Sequence, residues 1–142
     1  MRLRREKRVP KVLVVFARDK ASYEEDFAGL ALTWEQDSDV RKHIESERLE
    51  CLTEEVALQG WSGTLDESHS PDTVFLVFRG GRSQEARFDE NDYDPEIIGA
   101  FVTLDRAELF AAKERNELGG QGLPLHVWSV KPGWFSRTLR WN

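Results

Sequence analysis

Five carboxylates fall within eight residues, Asp89, Glu90, Asp92, Asp94 and Glu96, the densest grouping of carboxylates in the chain. A hard cation such as Mg²⁺ or Ca²⁺ requires several such oxygens converging on one point. The order D-E-N-D-Y-D-P-E has no glycine at the sharp turn of a calcium loop and no acid at its terminal bidentate position. No metal or other cofactor is therefore assigned to it. The same charges suit contact with a basic protein partner, or a solvated loop.

The other reactive residues do not assemble into a recognised set. His43, His69 and His126 are scattered, and one cysteine, Cys51, cannot complete a zinc site with them. His69 stands among Ser68, Ser70 and Asp72, but a catalytic histidine is defined by geometry rather than by its sequence neighbours. Gly80 and Gly81, flanked by Arg79 and Arg82, lack the spacing of a phosphate loop and read as a hairpin turn. Cys51, between Leu49 and Leu52, reads as a small buried hydrophobe. Trp128, Trp134 and Trp141 lie near the C-terminus with Lys131, Arg137 and Arg140. Aromatic and arginine side chains are enriched at protein interfaces and also stack on nucleic-acid bases. Trp134, Arg137 and Trp141 accordingly join the acidic run as candidate partner-binding residues.

The elements that position these residues must come from a chain of 142 residues, the size of one domain. A basic arm, residues 1–11, carries six Lys and Arg against Glu6. Its charge is +5, which leaves −11 on residues 12–142 of a chain whose net charge is −6. An acidic body repels polyanions, so nucleic acid is not the default partner. No apolar run approaches the length of a membrane span, and the single cysteine fits a reducing, cytoplasmic setting.

The apolar run at residues 12–16 predicts a buried strand. Ser22 and Glu25 form a capping-box pattern, which predicts a first helix from near Tyr23 through Phe27, Leu30, Ala31 and Trp34. Asp37-Ser38-Asp39 then predicts a break and a second helix to about Arg48. Residues 49–65 fit a helix and a strand equally. Strands are predicted at 73–78, at 84–88 across the Gly80-Gly81 turn, and at 97–104. Asp105 is the predicted N-cap of a helix ending at Gly119-Gly120, and residues 125–141 predict a terminal hairpin. No internal repeat is apparent.

These elements imply an α+β fold, with an antiparallel or mixed sheet and two or three helices packed mainly on one face. The expected organisation is a basic arm followed by one domain over residues 12–142. The expected function is that of a small acidic interaction protein, of inhibitor, immunity or adaptor type, and not that of an enzyme. Two other readings remain beside it. One is a metal-dependent hydrolase or nuclease using Asp89, Asp92 and Asp94, with His69 or His126. The other is a nucleic-acid accessory module using the basic arm and the aromatic C-terminal segment.

Overall fold

The β-branched run that begins at Val12 lies in strand β1 (Lys11–Arg18), and its alternate side chains enter two different cores. Val12, Val14 and Phe16 join the main cluster, while Val15 and Ala17 join a second cluster, as the pleat of a strand requires. The computed structural model describes residues 9–86, 93–118, 122–137 and 139–141. After β1 come β2 (Glu25–Ala31), α1 (Trp34–Ser46), β3 (Glu50–Gln59), β4 (Val74–Arg79), β5 (Glu96–Phe101), α2 (Leu104–Glu117) and β6 (Leu125–Val130). The strands form one curled mixed sheet in the order β2-β1-β3-β5-β4-β6. Every neighbouring pair is antiparallel except β3 and β5.

This order is a tandem of two ββαβ halves, each with its first strand in the middle. Val12-Leu13-Val14-Val15-Phe16 in β1 corresponds to Val74-Phe75-Leu76-Val77-Phe78 in β4. A register shift follows Val15 in one half and Val77 in the other, and these residues pair with Gly29 and Gly99. Thr33 and Thr103 then cap the two helices. Both glycines are required by close packing. A Cβ at Gly29 would lie 2.9 Å from the Trp134 carbonyl oxygen, and one at Gly99 would lie 2.7 Å from the Phe101 ring. The repeat escapes a sequence reading because the motif is short and the matched residues are mostly interchangeable hydrophobes.

The main core fills the inside of the curl and draws on both halves, from Val12, Phe16 and Phe27 to Leu76, Phe78 and Trp128. Helix α1 packs through Val40 and Ile44 on Val15, Ala17 and Ala28. Helix α2 packs through Ala107 and Ala111 on Val77, Phe101 and Leu125. These are the only two α-helices among the described residues, and neither is long and apolar enough to cross a membrane.

Several expected elements are placed differently. Residues 25–31 form a strand rather than a helix, because β2 is buried on both faces from Asp26 to Ala31 and so lacks a strand's alternation. Ser22 belongs to a turn in which its hydroxyl donates to Asp19, and Tyr23 takes a positive φ of 61°. The first helix starts after Thr33, whose hydroxyl accepts from the Gln36 N–H, and Asp37 lies buried within it. Residues 50–59 are a strand. No strand follows the Gly80-Gly81 turn within residues 82–86, and positions 87 and 88 lie outside the described residues. The cap of α2 is Thr103 rather than Asp105.

The terminal hairpin is also revised. Strand β6 pairs with β4, and residues 133–136 run instead along the outer edge of β2. There Leu30 donates to Trp134 (2.9 Å), Gly133 donates to Leu30 (2.9 Å) and Ser136 donates to Ala28 (2.7 Å).

Candidate functional site

Strand β3 is bonded to β1 along its length, but to β5 only at Leu58↔Ala100 and Gln59↔Phe101. Toward their N-terminal ends β3 and β5 part, and a cleft of about 440 Å³ opens between them. Phe16, Leu52 and Pro95 give it apolar surface, and Glu25, Glu54, Asp94 and Glu96 give it carboxylates. The tandem halves explain why the gap lies here. In the second half, the inward position across from Leu76 holds Trp128, which fills the core. In the first half, the position across from Val14 holds Glu54, which does not.

Among the described residues, the cleft end of the sheet is acidic even after its ion pairs are counted. Arg18 lies between Glu50 (3.0 Å) and Glu25 (3.9 Å). Arg79 lies between Glu114 (3.3 Å) and Glu96 (3.9 Å). Arg140, whose side chain is only 7% exposed, binds Glu24 (2.9 Å) and Asp94 (3.1 Å). Each guanidinium thus meets at least two carboxylates, and Glu54 has no ion-pair partner among the described residues. The field is visible in Glu25. Burial, then the neighbouring Asp94 carboxylate, push its carboxyl above the ordinary range, with Arg18 opposing and Glu54 adding to the rise.

The sequence-derived candidates divide between this cleft and other places. Asp89, Glu90 and Asp92 lie outside the described residues. Asp94 lines the cleft, where one oxygen accepts from the Glu25 N–H (3.0 Å) and from Arg140. Glu96 stands on the β5 wall with its side chain 65% exposed. Trp134 packs on the main core against Phe27 and Trp128, and Trp141 packs on the α1 cluster. Arg137 is exposed beside the Phe135 ring. Arg140 links the two sets, since it binds Asp94 and lies over the Trp141 ring at 5.8 Å, while Trp134 is spent on the core.

The remaining reactive residues are dispersed. His69 stacks on Trp61 in a turn held by Asp66, and His43 stacks on Phe135. His126 sits on β6 across from Phe78. Cys51 packs beside the α1 cluster, and burial pushes its thiol up to about 11, where it is protonated and a poor nucleophile at neutral pH. No group of three or more His, Cys, Asp or Glu is placed to hold a metal ion among the described residues. Glu25 and Glu54 were missed by sequence reasoning because they lie far from the acidic run. The strand register that places Val14 opposite Glu54 is the signal that would have found the second. No protein-family model, curated protein or solved structure matches this chain.

Proposed function

We propose that the chain is a small acidic interaction protein, of inhibitor, immunity or adaptor type, that engages a basic protein partner through the β3–β5 cleft. The observation that carries this reading is the sharing of Arg18, Arg79 and Arg140, each among at least two carboxylates. It leaves Glu54 unneutralised above an apolar floor. A cation brought to such a site gains Coulomb attraction while its aliphatic stem covers Phe16 and Leu52. Asp89, Glu90 and Asp92 add charge to the run that ends in Asp94 and Glu96. The engagement of Asp94 with Arg140 and the Glu25 amide favours this use over metal chemistry, since that oxygen already has donors. The acidic field disfavours a polyanion in the same cleft. A single, unpaired Cys51 suits the reducing cytoplasm.

The test is affinity capture from the source cell with the full chain and with a Glu54→Lys/Glu96→Lys variant, followed by association kinetics with the purified partner. A basic protein should be captured by the native chain, and the charge reversal should slow its association by on the order of tenfold at low salt. Rising salt should slow the native pair toward the rate of the variant. Capture of an acidic protein or a nucleic acid, or an association rate indifferent to the reversal, would refute the reading.

A further inference from the structure

The backbone of β3 points to a specific mode of recognition. In its antiparallel ladder with β1, the Leu58 N–H donates to Pro10 (2.8 Å), which fixes the even-numbered residues of β3 as those bonded to β1. The odd-numbered residues must then direct their N–H and C=O groups to the opposite side, toward β5. Two of them confirm it. The Gln59 carbonyl accepts from Val102 of the β5 segment, and the Cys51 carbonyl accepts from the Arg41 guanidinium (3.0 Å). Thr53 and Glu55 lie between them, where β5 has diverged, and among the described residues no backbone group bonds their cleft-facing N–H and C=O.

Among the described residues, the outer edges of β2 and β6 are met by hydrogen-bonding groups at Ala28, Leu30 and Ser129. Residues 133–136 lie along β2. On β6, the Gln84 side-chain amide both donates to the Ser129 carbonyl and accepts from the Ser129 N–H, each at 2.8 Å, as a neighbouring strand would. Uncovered strand edges are pairing templates that folded proteins ordinarily blunt. Among the described residues the edge at Thr53 and Glu55 is left open, and it borders the acidic cleft.

We infer that the cleft binds its partner by strand addition: an extended Lys- or Arg-bearing segment of a basic protein pairs with the backbone of Thr53 and Glu55 and turns alternate basic side chains toward Glu54 and Glu25. This rests on the interaction reading above and specifies its geometry. Main-chain bonds supply affinity in such a mode and the alternate side chains supply selectivity. Charge selects the occupant. A second copy of this chain would set Glu54 and Glu55 against their own equivalents, and like charges across paired strands repel. A basic strand meets opposite charge at the same positions.

The probe is an acetylated and amidated heptapeptide of alternating Lys and Val, compared with the same peptide N-methylated at every backbone amide, so that neither of its edges can donate to a ladder. The expected result with the full chain is saturable binding of the first and a loss of about tenfold or more in affinity for the second, since ladder donors are removed while charge is kept. Amide hydrogen exchange gives a readout that needs no mutation. In the free protein the Thr53 and Glu55 amides should exchange faster than those of Leu52, Glu54 and Val56, and the unmodified peptide should slow them selectively. Equal binding of both peptides, without protection of Thr53 and Glu55, would overturn strand addition while leaving the acidic-surface reading intact. Slow exchange of these two amides in the free chain would overturn it as well, by showing the edge already occupied. Failure of both peptides to bind at low salt would sink both readings together.

Discussion

At the scale of single residues, the cleft is built from carboxylates held close to one another, and this carries a cost. The Glu25 carboxyl is raised by burial and by Asp94, so folding disfavours its charged form. A folded-state value above the unfolded one contributes stability that is complete below the unfolded value and is lost as pH rises through the folded one. Glu25→Gln cannot ionise and escapes that loss. Its gain in urea midpoint over the native chain should be absent in acid, grow through the carboxylate range and level off at neutral pH. A constant difference across that range would contradict the assigned cause. The loss of the 3.9 Å contact to Arg18 should matter little, because that pair is long and partly exposed and Arg18 keeps Glu50 at 3.0 Å. Asp26 behaves in the same sense. Its carboxyl is nearly inaccessible and burial raises it, against the opposing pull of Arg82 and the Arg140 N–H.

At the scale of elements, the two helices begin the same way, and their caps set a clear expectation. Thr103 accepts from the Arg106 N–H through its hydroxyl, so Thr103→Ala should cost roughly 0.5–2 kcal/mol, whereas Asp105→Ala should cost only a few tenths through the helix dipole. Denaturation midpoints for the two variants would rank them, and an equal or reversed ranking would return the cap to Asp105. The strands at β1, β4, β5 and β6 were legible because apolar, β-branched runs stand between turn residues there. Strand β2 was not. Its spacing of Phe27, Leu30 and Ala31 resembles a helical face because the register shift beside Gly29 breaks the period of two, and burial on both faces hides the alternation. The acidic character of the site was legible in Asp94 and Glu96. Its shape was not, since Glu25 and Glu54 reach the cleft only through pairing between strands distant in sequence.

At the scale of the whole molecule, the main core joins Val12, Val14 and Phe27 of the first half to Leu76, Phe78 and Trp128 of the second, with Phe27 and Trp128 ring centroids 5.3 Å apart. Neither half has an inner core without the other. Unfolding should therefore be one transition, with coincident curves from tryptophan fluorescence and far-ultraviolet circular dichroism, and separated curves would indicate halves that melt alone. The segment that closes the curl has a different kind of consequence. Residues 133–136 follow β6 after only Lys131 and Pro132, and they hold β2 by main-chain hydrogen bonds and by the Trp134 ring on Phe27, contacts that an identical β2 in another molecule would satisfy equally well. Those bonds carry no mark of self. What keeps the segment at home is the high local concentration imposed by its short tether. Domain exchange between molecules thus becomes competitive only when chains refold in a crowd dense enough to rival that concentration.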